Sequence, residues 1–192
     1  MLITLRELFD IVVMVAATGY IFMGFVGKRH RHRDVLARFQ EGHGFDWPAF
    51  WTSVIITAPA LIAHELAHKF VAIALGLEAV FHAAYTWLGI GIALKLLGSG
   101  FIFFIPGYVS IGELSDPMST LLIAGAGPFL NLVLWLGSAL VLKAHQRFTK
   151  RAYIVLFMTK TINMWLFVLN MLPLPFADGF KVYASVWRLI AG

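Results

Sequence analysis

From Ser119 to Leu142 the chain carries no charged residue. A helix through that run is about 36 Å long, more than the roughly 30 Å of hydrocarbon in a bilayer. It is not an isolated run. Leu8 to Val26, Trp47 to Leu75 and Tyr153 to Leu172 are also predominantly apolar. Only 13% of the 192 residues are charged and 60% are apolar, about half the charged fraction of an ordinary soluble domain. Folded in water, such a chain would expose more apolar surface than water tolerates. The sequence therefore predicts an all-α membrane protein, a polytopic helical bundle of about four to six spans. It reads as one integral membrane domain over 1–192, with a catalytic core over about 47–180.

The first apolar stretch is not built like a secretory leader. Only Arg6 precedes it, while Lys28, Arg29, Arg31 and Arg33 follow at once, the reverse of the usual charge order. A retained first span is the better reading. The polar segment after it, with His30, His32 and His43, reads as a headgroup-facing loop. Trp87 to Ile105 is long enough to span, but Gly89, Gly91, Gly98, Gly100 and Pro106 interrupt it. A re-entrant or short extended segment around 87–111 is expected there, in a place where protein or a water-filled cavity satisfies the irregular backbone. A short tail with Trp187 and Arg188 reads as an interfacial amphipathic turn. The net charge of +5 is bunched in loops, which sets membrane orientation rather than nucleic-acid binding.

Inside the second apolar stretch stands the string His64-Glu65-Leu66-Ala67-His68. On a helix, residues i and i+4 lie one turn apart on one face, so both imidazoles can reach one ion. Glu65 is displaced by about 100° around the axis, beside the ion rather than on it. This is the logic of HExxH zinc hydrolases, in which the metal acidifies a water and the carboxylate completes the proton transfers. Buried histidines satisfied by ordinary hydrogen bonds are the plainer reading. It is weakened by place, because ionisable groups inside a membrane span are costly and need a partner. There is no cysteine, so any metal must be held by nitrogen and oxygen ligands.

A catalytic zinc site has three protein ligands and one open position. Glu78, Glu113, Asp116 and Asp178 are the carboxylates on offer. Asp178 stands out, because it lies among apolar residues in Asn170-Met171-Leu172-Pro173-Leu174-Pro175-Phe176-Ala177-Asp178-Gly179. The prolines stop the preceding helix, and Gly179 is expected to let the backbone turn sharply beside the acid. Glu113 or Glu78 as third ligand is the alternative, testable by which carboxamide substitution loses zinc.

HExxH in a membrane span, followed far downstream by N-x-x-P-x-P-x-x-D-G, resembles the site-two protease family of intramembrane metalloproteases. The likeness runs from about residue 50 to residue 180. It implies one zinc per chain held by His64, His68 and Asp178, with Glu65 as general base and acid. A third element, G-x-x-x-N at Gly127 to Asn131, also matches. The resemblance implies that Asn131 contacts the substrate backbone or the developing oxyanion, where an amide donor is worth a few kcal/mol. Close packing through Gly125 and Gly127 with a packing bond from Asn131 is the plainer reading. Asn170 could likewise bind a substrate backbone, and Phe101 to Ile111 could pair with it as an added strand.

The expected function is hydrolysis of peptide bonds in or near transmembrane segments of membrane proteins. A non-proteolytic metal-binding membrane protein or metal transporter is the alternative, and would need further ligand sites along a path. The expected partners are a transmembrane substrate and the lipid bilayer, with no nucleic acid; the small-residue span could serve a homo-oligomer as readily as internal packing. Localisation in the cell membrane is expected if the source is prokaryotic. By charge, the basic loops after the first span and before the last firm span face the cytoplasm, which puts the first terminus outside. That places the metal about 25 Å along the second helix from Trp47, running outward. The resemblance instead implies a site nearer the cytoplasmic side, and the two expectations conflict.

Overall fold

The structure, a computed structural model, describes residues 3–27, 45–98, 105–112, 116–145 and 147–192. The order of elements is α1 (Leu5–Gly27), α2 (Trp47–Ala74), β1 (Ala79–Ala83), α3 (Tyr85–Leu96), β2 (Gly107–Ile111), α4 (Pro117–Ala144), α5 (Lys150–Asn170) and α6 (Asp178–Ala191). The fold is that of an all-α membrane protein with one small two-stranded sheet. Among the described residues α2, α4 and α5 are long and apolar enough to cross a membrane. They coincide with three of the expected spans; α1 is a helix over the first apolar stretch.

Local chemistry sets where these helices begin. At α1, Thr4 and Glu7 cap reciprocally: the Thr4 amide donates to Glu7 Oε2 at 2.8 Å and the Glu7 amide to Thr4 Oγ1 at 3.2 Å, which satisfies two otherwise orphaned donors. At α4, Asp116 accepts from the Ser119 amide at 2.8 Å and the Ser119 hydroxyl at 2.7 Å, with Pro117 in the first turn, where its missing N–H costs nothing. Thr149 Oγ1 accepts from the Ala152 amide to open α5. Beyond the end of α2, Gly76 takes a positive φ of 79°, the left-handed conformation that glycine adopts without penalty.

By internal contacts the chain divides into two compact units, Met1–Ala58 with Ala83–Gly107, and Pro59–His82 with Tyr108–Gly192. In the first, α1 and α3 are joined by Tyr85, whose hydroxyl donates to Asp10. They are joined again by Lys95, which donates to the Tyr20 carbonyl and sits 4.0 Å above the Tyr20 ring. Helix α3 has 12 residues, about 18 Å, and does not cross a hydrocarbon layer. The run from Trp87 therefore resolves into a short helix, closed by Gly98 at a φ of 72°, and the extended segment Gly107–Ile111. Residues 99–104 of that run lie outside the described residues.

In the second unit β1 and β2 run antiparallel, with the Gly112 amide donating to Glu78 and Ser110 Oγ 3.0 Å from His82 Nε2. Ala72, Ala79 and Ile123 form a buried cluster, with Val71, Ile73, Leu77, Val109 and Ile111 packed around it. This cluster ties α2, the sheet and α4 together one turn or so from the histidines. Trp135 of α4 meets Phe167 of α5 with ring centroids 6.0 Å apart.

Candidate metal centre

The HExxH string sits on α2, where the helical repeat brings His64 and His68 together with ring centroids 4.7 Å apart and planes at 81°. Both are buried, as is Glu65 between them in sequence. Asp178 comes from the first position of α6. Its Oδ2 lies 3.1 Å from His64 Nε2 and 3.2 Å from His68 Nε2, and the two Nε2 atoms are 3.1 Å apart. The three ligand atoms thus form a nearly equilateral triangle.

Chemistry tests whether that triangle suits a metal. Zinc bonded to nitrogen or oxygen at about 2.0–2.1 Å places tetrahedral donors about 3.3–3.4 Å apart, close to the edges observed. The protons argue the same way. His68 Nδ1 lies 2.7 Å from the Ile123 carbonyl oxygen, which can only accept, so Nδ1 carries the ring proton. A neutral His68 then turns a lone pair toward an acceptor-only carboxylate and a second imidazole. With His64 likewise protonated on Nδ1, three lone pairs would converge, which is the chemistry of a cation site. His64, His68 and Asp178 would hold the ion, and Glu65 is left free of it.

Two features of the chain make the triangle possible. The turn between α5 and α6 is closed by Leu174 donating to Leu172 and Ala177 donating to Leu174, and the Tyr183 hydroxyl donates to the Met171 carbonyl at 2.7 Å. Gly179 does not turn the backbone sharply: it is the second residue of α6 and its φ is not positive. Its role is close approach, since a Cβ there would stand 2.7 Å from the Met171 carbonyl carbon and oxygen. That corrects the expected reason for the glycine.

The other expected site residues fall as follows. Asn131 of α4 is fully buried, with Nδ2 2.9 Å from His64 Nδ1. Asn170 donates to the Leu166 carbonyl of its own helix at 3.0 Å and makes no hydrogen bond to the trio. Glu78 is not in the convergent group, and Glu113 lies outside the described residues. Asp116 serves as the α4 cap. One participant, the Ile123 carbonyl, was not named from the sequence. Gly127, expected to allow close helix packing, lies against a histidine itself: a Cβ there would stand 2.7 Å from His64 Cε1. Their signal was the spacing 123, 127, 131, one stripe of a helix.

Over 189 residues, 96% of its length, the chain is 31% identical to a protein of Methanocaldococcus jannaschii named "Putative zinc metalloprotease", of which it covers 88%. The chain belongs to that zinc metalloprotease family. It is also 27% identical over 190 residues to a Synechocystis protein of the same descriptive name, and spans 45% of that relative's length. No family model and no solved structure matches the chain. Membership of a zinc metalloprotease family agrees with the donor set: two imidazoles and one carboxylate leave the fourth tetrahedral position open, as in a catalytic rather than a structural zinc site.

Proposed function

We propose that this zinc metalloprotease cleaves peptide bonds in or near the transmembrane segments of other membrane proteins, in the manner of the site-two proteases it resembles. The observation that carries the reading is the convergence of His64, His68 and Asp178 on α2, a helix long and apolar enough to lie in the bilayer. One zinc held there supplies a Lewis acid that makes water nucleophilic near neutral pH and polarises a carbonyl.

The chain's own residues do the rest. His64, His68 and Asp178 would hold the ion. The Glu65 carboxylate, one residue along α2 from His64 and outside the ligand triangle, takes a proton from the attacking water and returns it to the leaving amine. A peptide bond within a helix is shielded by its own hydrogen bonds, so the substrate must unwind, and its freed amides need partners. The two-stranded sheet could accept such an extended segment by strand addition, with Asn170 close by in sequence to the ligand-bearing turn. The protein is then a multi-pass component of the cell membrane if its source is prokaryotic.

A metal transporter would need a succession of ligand groups. Among the described residues His64, His68 and Asp178 form the one group of that kind. Glu65→Gln tests the reading directly. The substitution keeps shape and removes the base, so zinc should remain bound while cleavage of a transmembrane substrate in detergent or vesicles falls by at least about a hundredfold. Cleavage at the wild-type rate would refute the mechanism.

A further inference from the structure

Each ligand histidine has a second ring nitrogen, and its neighbour decides where the ring proton sits. For His68 the neighbour is the Ile123 carbonyl at 2.7 Å, which fixes the proton on Nδ1 and leaves Nε2 bare for a metal. For His64 the neighbour is Asn131, fully buried, with its carboxamide nitrogen 2.9 Å from Nδ1 and its Oδ1 without a partner. An amide nitrogen can only donate, so in this orientation Nδ1 must accept and the proton must sit on Nε2. Coordination through Nε2 requires the opposite: a proton on Nδ1, and an acceptor to hold it.

A half-turn of the carboxamide about χ2 exchanges nitrogen and oxygen without moving any other atom. Either orientation leaves one buried carboxamide atom unpaired, so hydrogen-bond counting does not choose between them; coordination does. Resting on the reading of the trio as a zinc site, we propose that Asn131 is a positioning residue that turns Oδ1 to accept from His64 Nδ1–H. It thereby sets the tautomer of His64 and aims its Nε2 at the metal.

Ile123, Gly127 and Asn131 follow one another at intervals of four along α4. Between a carbonyl that orients one histidine and a carboxamide that orients the other stands a glycine whose bare face lies against both rings. One stripe of α4 therefore backs the whole HExxH pair. This gives the G-x-x-x-N element a role toward the ligands rather than toward substrate, consistent with a side chain that solvent does not reach.

The test uses the full chain in detergent, loaded with zinc alone, and measures affinity by competition with a chromophoric chelator. Asn131→Leu removes the acceptor and should weaken zinc binding by 10- to 100-fold, the usual range for losing such a partner. Asn131→Asp, whose carboxylate accepts and never donates, should retain wild-type affinity or exceed it. If Asn131 served as an amide donor to substrate, both variants would keep zinc and lose turnover alike, and the proposal would be overturned. A purely structural role is overturning too: it would lower the melting temperature of both variants and leave the zinc affinity of the folded fraction unchanged.

Should Asn131→Asp fail to fold, nitrogen-15 histidine NMR of the zinc-loaded wild type decides. The proposal requires a slowly exchanging proton on His64 Nδ1; its absence would refute it. Failure of the wild type to bind zinc at all would instead bring down the metal reading beneath the proposal.

Discussion

Gly127→Ala is the sharpest test of how α4 serves the centre. A Cβ built on Gly127 stands 2.7 Å from His64 Cε1 and 2.8 Å from Nδ1, and meets His68 Nε2 as well. Ordinary contact begins at 3.4 Å, so the His64 ring must retreat by about 0.7 Å, well outside the ±0.2 Å within which ligand distances define a metal site. The ring has little room to retreat, because Asn131 holds one nitrogen and His68 and Asp178 crowd the other. Overpacking of this kind costs about 1–3 kcal/mol. Taking the lower half of that range out of metal binding predicts a fall in zinc affinity of about 5- to 30-fold. Gly125→Ala is the control: nothing lies within 4 Å of its Cβ, and alanine is the better helix former by about 1 kcal/mol. Chelator competition and thermal melts of the two variants should therefore separate, with Gly125→Ala binding zinc as the wild type does. Equal zinc affinity in Gly127→Ala and the wild type would show that α4 does not press on the histidines.

Gly179→Ala should loosen the other side of the centre. Its Cβ would meet the Met171 and Leu172 backbone at 2.7 to 2.9 Å, so the start of α6 must lift and carry Asp178 with it. A loss of about 1–3 kcal/mol in unfolding free energy, with weaker zinc binding, is the expected outcome in denaturant titration and zinc assay. Asp116 is held below the usual carboxylate range by hydrogen bonds from the Ser119 hydroxyl and the Ser119 and Met118 amides. A carboxyl lowered on folding stabilises fully above its unfolded value and loses that effect as pH falls through its folded value. The difference in melting temperature between wild type and Asp116→Asn should accordingly be present at neutral pH and close on acidification below the ordinary carboxylate range.

What was legible in the sequence follows from what chemistry forces into it. Residues at i and i+4 of one helix share a face and can reach one ion, so His64 and His68 stood out as candidate ligands. The long apolar runs gave the helices α2, α4 and α5 to within a few residues, because a bilayer demands length. The Trp87 run was legible in part: its glycines marked it as interrupted, with a short extended piece, but hydropathy does not see where a helix closes. Here Leu96 and the left-handed Gly98 end α3 after 12 residues. The tail was legible as amphipathic but not as a helix of 14 residues that starts at Asp178 itself, since an Asp-Gly pair after two prolines reads as a turn. The partners that Gly127 and Gly179 lie against were out of reach for a different reason. Both depend on which backbone or ring from a distant element lies against a missing side chain, and no local pattern encodes that neighbour. The same holds for Asn131, whose type was visible but whose partner, His64, is set by how α4 meets α2.

The central claim is that His64, His68 and Asp178 hold one catalytic zinc. Zinc content and X-ray absorption of the purified chain test it most directly, with Asp178→Asn measured alongside. About one zinc per chain, coordinated only by nitrogen and oxygen at about 2.0–2.1 Å, with zinc and proteolysis both weakened in Asp178→Asn, is the predicted result. A wild type without zinc, or an Asp178→Asn protein that holds zinc as tightly as the wild type, would contradict it.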